Sequence, residues 1–303
     1  MPPHYQERMQ RVLDHIDRNP DADLSLDRLS DVAAFSKYHF HRQFSAIFGL
    51  SVHRYVQLVR MRRASYQLAF RDADGVTDIA LDAGYEASDA FARAFRQNFG
   101  QSPSEFRTAP DWRSWLAALG PLTFARSKHL TNYSLQDVTI TDFPATPVAL
   151  MKHHGDPERI YATIQRFIGW RRATGLGKDI TATFNIFHSD PRTTPPEAFR
   201  MDLCAASKGP VAPNDAGVEE GLIPAGPCAV LRVVGNSENL EAAALFLYRE
   251  WLPQSGEEPR DFPLFCQRVR FYPDVPEPDS VTDLFLPIDQ GARAVGGPGR
   301  IAT

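Results

Sequence analysis

The chain has 303 residues, of which 43% are hydrophobic and 23% are charged, and its formal net charge is −4. This composition is typical of a globular protein of about two domains, and the acidic balance excludes a bulk attraction to nucleic acid. No apolar run approaches the roughly 20 residues of a membrane helix, and Met1–Arg8 lacks the apolar core of a signal peptide. We therefore expect a cytoplasmic protein that makes no contact with a membrane.

One helix is predicted first, and two short helices in close succession follow it. Apolar residues at helical spacing run through residues 5–19, and Asn19-Pro20 ends that helix. Ser25 can cap the next helix, and a short turn then leads into a helix over residues 36–48. Two short helices joined this tightly are a helix-turn-helix candidate.

The helix over residues 51–70 has apolar residues on two opposed faces. Val52, Tyr55 and Val59 share one face early in the helix, whereas Ala64 and Leu68 point to the opposite side. Such a pattern predicts a connecting helix that packs against one unit first and another unit later. A rigid connection of this kind would allow two units to enter successive major grooves roughly 34 Å apart.

A second copy of the early pattern follows. Phe91, Phe95 and Phe99 form an aromatic stripe that matches Phe40, Phe44 and Phe48 at a constant shift of 51 residues. Ser88 can cap this helix, Gly100 can end it in a left-handed conformation, and Ser102-Pro103-Ser104-Glu105 is a capping box that begins another helix.

Exposed polar residues near the start of each second helix are the candidates for contact with double-stranded DNA. Arg42 and Arg93 suit guanine, whereas Ser36, Lys37 and Arg96 suit phosphates. Asp89 can accept from a cytosine amino group, or it can simply interact with the helix dipole. We predict that the second helix reads fewer bases. The full candidate set is Ser36, Lys37, Tyr38, His41, Arg42, Ser88, Asp89, Ala90, Arg93 and Arg96.

The second half contains another repeat. The strand at residues 148–152, a turn at Gly155 and the helix at 157–172 match the strand at 228–232, Gly235 and the helix at 238–251, at a shift of 80 residues. Further strands are predicted at residues 138–141, 181–188, 200–206, 264–270 and 281–286. Two βαβ-like halves placed side by side leave a groove that suits a small molecule.

Metal and disulfide sites are not predicted. Cys204, Cys228 and Cys266 are widely spaced and odd in number. His153 and His154 are adjacent on a strand and therefore point in opposite directions. We expect no metal, no cofactor and no catalytic residue.

The first half resembles the DNA-binding domain of AraC/XylS-family transcription regulators. The residues that carry the resemblance are Ser36 to Phe44, the linker Arg60-Met61-Arg62-Arg63-Ala64, Ile79 to Tyr85, and Phe99 to Arg107. The resemblance implies base contacts by Tyr38, His41 and Arg42, and by Ser88, Asp89, Ala90 and Arg93. Ala90 departs from the pattern because it is too short to form a hydrogen bond.

The second half resembles the GyrI-like domain, the effector-binding module of Rob-type regulators. The segments that carry this resemblance include His153-His154-Gly155, Asp190-Pro191, Ile223 to Gly226, Tyr248 to Gly256 and Leu286-Pro287-Ile288. Many relatives bind cationic drugs with a buried glutamate that follows Pro-x-Phe. Here Pro263-Leu264-Phe265 is followed by Cys266, Gln267 and Arg268.

Because a buried cation needs a counter-charge, this departure suggests a pocket for neutral or anionic aromatic ligands. The alternative is that Cys266 only packs and Arg268 pairs with a local carboxylate. If strand alternation holds, Cys266 and Arg268 face the same side. The candidate ligand-binding residues are Phe184, Tyr248, Trp251, Phe265, Cys266 and Arg268.

The sequence thus predicts a multidomain protein, in which an all-α double helix-turn-helix domain precedes an α+β GyrI-like domain built from two βαβ-like repeats. The expected boundaries are 1–110, a linker at 111–132, 133–289, and a tail at 290–303. The expected function is a DNA-binding transcription regulator that senses a small molecule, with RNA polymerase as a further candidate partner. The alternative is an enzyme, in which the second domain hydrolyses or traps a small electrophile through Cys266.

Overall fold

The computed structural model describes residues 3–71, 74–127, 133–235, 239–270 and 272–289. Residues 128–132 of the predicted linker and the predicted tail at 290–303 lie outside these ranges. Within the described ranges, no helix is both long enough and apolar enough to span a bilayer.

The first part of the chain is helical throughout. Its helices pack around one core that contains the aromatic stripes of both predicted units. The helices are α1 Pro3–Arg18, α2 Leu26–Ala33, α3 Lys37–Phe48, α4 Val52–Phe70, α5 Val76–Asp82, α6 Ser88–Phe99, α7 Pro103–Thr108 and α8 Trp112–Ser127.

The structure confirms the first internal repeat. Helices α3 and α6 both have 12 residues, and Gly49 and Gly100 end them with φ of 75° and 76°. All six phenylalanines of the two stripes are buried. The prediction for Ser88 is wrong, however, because Ala87 occupies the N-cap and Ser88 is already inside α6, with no side-chain cap.

Helix α4 connects the two units, as its two apolar faces predict. Arg60 Nε donates to the carbonyl of Pro20 at 2.8 Å in the first unit, and its guanidinium packs against the turn at Gly84 in the second. A Cβ atom at Gly84 would lie 2.8 Å from Arg60 Nη1, and φ there is +78°, so this turn requires glycine. Arg54 Nη1 also donates to Asn98 of α6 at 2.8 Å.

The predicted linker contains a long, well-packed helix. Helix α8 lies on α4, where the buried Trp115 Nε1 donates to Ser65 Oγ at 2.6 Å. The ring of Trp112 stacks on Tyr161 from the second half of the chain, with centroids 5.0 Å apart. Most of the predicted linker is therefore part of the helical core and of its contact with the second half.

The second part of the chain forms one antiparallel sheet with two longer helices. The strand order is β1-β6-β9-β8-β3-β4-β2-β5, with β7 paired only to β9. The elements are β1 Val138–Phe143, β2 Thr146–His154, α9 Ile160–Ala173, β3 Thr183–Phe187, β4 Arg200–Ala206, β5 Val218–Ile223, β6 Gly226–Val234, α10 Asn239–Phe246, a π turn Leu247–Trp251, α11 Leu252–Ser255, β7 Glu258–Pro259, β8 Phe265–Arg270 and β9 Val281–Asp289.

Each half of the sheet is a split βαβ unit. Strands β2 and β3 both pair antiparallel with β4, so they run in the same direction with β4 between them. Strands β6 and β8 flank β9 in the same way. The repeat at a shift of 80 is confirmed, since Gly155 and Gly235 follow β2 and β6 with φ of 99° and 98°. Strands β5 and β7 were not predicted.

The short connections force the sheet to curl. Only Pro144 and Ala145 lie between β1 and β2, and such a connection spans roughly 10 Å. In a flat sheet these two strands, the first and the seventh in the order, would lie roughly 29 Å apart. Pro224 and Ala225 join β5 to β6 under the same constraint.

The curled sheet has an aromatic interior and a helix-covered exterior. Phe143 lies inside, with its ring centroid 5.0 Å from that of Phe265 and 5.2 Å from that of Phe285. On the opposite face, α9 covers β2 and β4, whereas α10 covers β6 and β9. The central strands β3 and β8 therefore lie between the two helix-covered areas.

We predict that Phe143→Ala lowers the free energy of unfolding by about 3–5 kcal/mol, because it removes the aromatic contacts that fill the curled sheet. Ile140→Ala is the matched control, since Ile140 lies on the same strand and is 40% exposed. Urea denaturation measures both variants, and equal destabilisation by the two would contradict this account of the interior.

Candidate DNA interface and ligand groove

The start of α3 presents the predicted contact residues on the surface. Ser36 caps the helix by accepting from the His39 amide, and Lys37, Tyr38, His41 and Arg42 are all exposed. Each of these side chains is therefore accessible to a DNA groove or backbone without any rearrangement of the core.

Tyr38 and Arg42 form a pair on one face of α3. Arg42 Nη1 donates to Tyr38 Oη at 2.6 Å, and the guanidinium lies 5.5 Å from the centre of the Tyr38 ring. Residues four apart lie one above the other on a helix, so the tyrosine restrains the guanidinium on the exposed face of α3. Lys37 is instead paired with Asp27 of α2.

The start of α6 offers shorter side chains. Ser88, Asp89 and Arg93 are exposed, whereas Ala90 is half-buried. Arg96 Nη2 lies 3.2 Å from Glu105 Oε2, the glutamate of the confirmed capping box at the start of α7. Among the described residues, Arg93 has no ion-pair partner.

On the second half of the chain, Cys266 and Arg268 meet at one asparagine. Arg268 Nε donates to Asn185 Oδ1 at 3.1 Å, and Cys266 Sγ lies 3.8 Å from the same oxygen. The prediction that these two side chains share a face of β8 is confirmed. Arg268 Nη1 also donates to Thr282 Oγ1 at 3.5 Å.

The other four candidates divide between the two faces of the sheet. Trp251 is buried in the same apolar cluster as Cys266, and Tyr248 of the π turn is 44% exposed beside it. Phe184 and Phe265 lie in the aromatic interior on the opposite face, where Phe265 stacks on Phe285 at 4.8 Å. The structure therefore brings Trp251, Cys266 and Arg268 to one face, and places the two phenylalanines elsewhere.

Arg171 is a buried cation that sequence reasoning missed. This last-turn residue of α9 is 5% exposed, and its Nη1 donates to Thr183 Oγ1 at 2.7 Å. Thr183 is the register partner of Arg268, so both arginines lie beside this residue of β3. Burial lowers the pKa of Arg171 to about 10, and no carboxylate among the described residues forms an ion pair with it. Its position in a polar last turn gave no signal of burial.

The cysteines are held as thiols. Burial raises the pKa of Cys266, although Arg268 lowers it, and burial also raises the pKa of Cys228 to about 11. His153 Nδ1 lies 2.8 Å from Thr163 Oγ1. Among the described residues, no group of three or more His, Cys, Asp or Glu could hold a metal ion.

We predict that Ser36→Ala lowers the free energy of unfolding of the DNA-free protein by about 1 kcal/mol, because it removes an N-cap. Ser88→Ala should change the free energy of unfolding by less than about 0.5 kcal/mol, since Ser88 caps nothing. Thermal unfolding of both variants measures the difference. An equal loss in both would show that the two helices begin in the same way.

Comparisons with known proteins agree with this geometry. Residues 136–289 match the GyrI-like small molecule binding domain, and residues 29–109 match a helix-turn-helix domain. The chain is 38% identical over 160 residues to the probable transcriptional regulator YgiV of Escherichia coli K12, covering 52% of this chain and 99% of that protein.

Two further similarities cover other parts of the chain. It is 30% identical over 115 residues to the right origin-binding protein of Escherichia coli K12, which covers 37% of this chain and 39% of that protein. The structure of an EcmrR–DNA complex covers 88% of this chain and 99% of the other, at 13% identity and a TM-score of 0.43. The chain belongs to the GyrI-like family, and it is a transcription regulator that carries this small-molecule-binding domain behind an AraC-type helix-turn-helix domain.

Proposed function

We propose that this regulator reads its operator with two unequal helices, of which α3 contributes most of the base discrimination. The carrying observation is the exposed Tyr38–Arg42 pair on α3, which has no counterpart on α6. A bidentate arginine–guanine contact is worth about 1–3 kcal/mol of discrimination. On α6, the half-buried Ala90 can offer only a methyl group to a base.

The remaining candidates suit the DNA backbone. Ser36 and the amide groups at the start of α3 can donate to a phosphate, and Lys37 can exchange its surface partner Asp27 for one. Arg96 can exchange Glu105 in the same way. Since the net charge of the chain is −4, such local contacts must supply the attraction. This function is consistent with a cytoplasmic location and with RNA polymerase as a further partner.

We predict that Arg42→Ala relaxes base preference by about 5- to 100-fold at the position it contacts, whereas Arg93→Ala relaxes preference much less. Affinities for a set of single-base variants of a duplex selected from a random pool would measure this difference. Arg113→Ala is the control, because Arg113 is an exposed arginine on α8 that pairs with Asp156 and Glu158. Equal losses for Arg42 and Arg93 would contradict the ranking.

We further propose that the effector is a neutral or anionic aromatic molecule that binds over β3 and β8, between α9 and α10. Arg171 and Arg268 supply two guanidinium groups there, and no carboxylate among the described residues forms an ion pair with the buried Arg171. A third cation at this place would add repulsion in a region of low dielectric constant. A carboxylate would instead compensate the buried charge of Arg171.

The helical side of the same region supplies aromatic surface. Trp251 and Tyr248 lie on a single π turn that interrupts the helical run from α10 to α11. Such turns occur often at functional sites, because they displace side chains from the regular helical spacing. The partly exposed Tyr248 is therefore placed to cover a flat ligand beside Trp251.

We predict that 2-naphthoate binds the full chain more tightly than the cationic dye rhodamine 6G, and that Arg268→Gln weakens naphthoate binding by about tenfold, as expected for a charge-assisted hydrogen bond. Arg270→Gln is the matched control, because Arg270 is an exposed residue of the same strand. Calorimetric titration measures each affinity. Preference for the cationic dye would contradict the proposed ligand class.

The enzymatic alternative has no comparable support. A cysteine nucleophile reacts as its thiolate, and burial holds Cys266 in the thiol form. Asn185, the neutral neighbour of Cys266, cannot act as a general base.

A further inference from the structure

The connection between β8 and β9 reaches out of the GyrI-like domain and docks on the helix-turn-helix domain. Residues 272–280 run between these strands and contain a single 3-10 turn, Glu277–Asp279. A cavity of about 190 Å³ lies between this connection and helices α1, α4 and α8. Tyr272 of this connection packs edge-on against Tyr66 of α4, with ring centroids 5.1 Å apart, and polar contacts hold the rest of the connection beside the cavity.

Glu277 makes the central contact. Its side chain is 7% exposed, and it accepts from Arg62 Nη1 of α4 at 2.5 Å and from Arg126 Nη1 of α8 at 2.5 Å. Although burial raises the pKa of Glu277, the two arginines outweigh burial and hold that pKa below its ordinary value. The carboxylate therefore stays charged between two guanidinium groups that belong to the other domain.

Asp17 completes a neutral cluster. Arg126 Nη2 donates to Asp17 Oδ1 at 2.9 Å, and Tyr55 Oη of α4 donates to the same carboxylate at 3.3 Å. The cluster contains two arginines and two carboxylates, all of them buried or nearly so. Loss of one carboxylate would leave a buried guanidinium without compensation, which is the strongly unfavourable case for buried ion pairs.

The cluster acts on the helix that sets the relation between the two reading units. Arg62 lies two residues after Arg60. The guanidinium of Arg60 donates to the carbonyl of Pro20 in the first unit and packs against the Gly84 turn in the second. Tyr55 belongs both to the cluster and to the core of the first unit, where its ring packs edge-on against Phe44 of α3. A shift of Glu277 would therefore change the contacts of α4 at two points along its length, at Tyr55 and at Arg62.

The same connection begins close to the proposed ligand site. Strand β8 carries Cys266 and Arg268, and its pairing with β9 shifts register between Arg268 and Arg270. Glu277 follows nine residues after Arg268 along the chain, with the irregular end of β8 between them.

We infer that Glu277 is a positioning residue for DNA binding, through which the GyrI-like domain holds α4 and so fixes the arrangement of the two helix-turn-helix units. This inference rests on the proposed function, in that both units read one operator. Glu277 itself touches no DNA in this account. It acts only through Arg62 and Arg126.

The test compares affinities for two duplexes. One is selected from a random pool by the full-length protein, and the other carries one additional base pair between the two contacted segments. The wild-type protein should bind the lengthened duplex at least about tenfold more weakly, since one base pair changes both separation and rotation of the sites. Glu277→Gln should reduce this ratio to below about threefold, because the GyrI-like domain no longer holds α4 through the Arg62–Glu277 ion pair.

Two variants make the result specific. Asp279→Asn is the matched control, because Asp279 lies on the same 3-10 turn but forms a half-exposed pair with Arg18, and it should keep the wild-type ratio. If Glu277→Gln fails to fold, the double variant Arg62→Gln with Glu277→Gln removes one charge of each sign and leaves the Arg126–Asp17 pair intact. It should show the same loss of selectivity.

The outcomes separate the two proposals. A wild-type ratio retained in Glu277→Gln, or in the double variant if the single one does not fold, would overturn the role of Glu277 while leaving the DNA-reading function in place. A general loss of affinity that is equal for both duplexes would also overturn it, because a lower fraction of folded protein has that effect. Failure of the wild-type protein to select any duplex would refute the proposed function itself.

Discussion

The arginines of α4 join the parts of this molecule. Arg60 contacts both helix-turn-helix units, Arg62 enters the buried cluster with Glu277, and Arg63 pairs with Asp21 before α2. Guanidinium groups suit this task, because their planar donors can satisfy several acceptors at once. Three nearby arginines of one helix therefore determine how the parts are arranged. These parts are the two reading units, the docked helix α8 and the GyrI-like domain.

Local patterns in the sequence predict most of the helices and strands. The bounds of α3 and α6 differ by 51 residues at both ends, the same shift that the sequence repeat shows. The shift of 80 residues, applied to the predicted strand at Val138, would also have located the missed strand β5 at Val218. Glu219, Glu220 and Gly221 disfavour a strand on their own, and pairing with β2 overrides that preference. The curl of the sheet follows from two short connections, and only the strand order reveals it.

The positions of candidate site residues were predictable where they follow from the geometry of a single helix or strand. Strand alternation places Cys266 and Arg268 on one face, and helical spacing exposes Tyr38 and Arg42. Contacts between distant parts of the chain were not predictable, because no local pattern records them. Asn185 joins Cys266 and Arg268 from another strand, Arg171 is buried by the sheet, and Glu277 meets arginines more than 150 residues away.

The central claim is that α4 holds two unequal reading helices on one side of DNA. Hydroxyl-radical footprinting of the full chain on a selected duplex, combined with guanine methylation interference, tests it most directly. We expect two protected segments about one helical turn apart on the same face. We also expect strong interference in the segment bound by α3 and weak interference in the other. A single protected segment, or interference of equal strength in both, would contradict the claim.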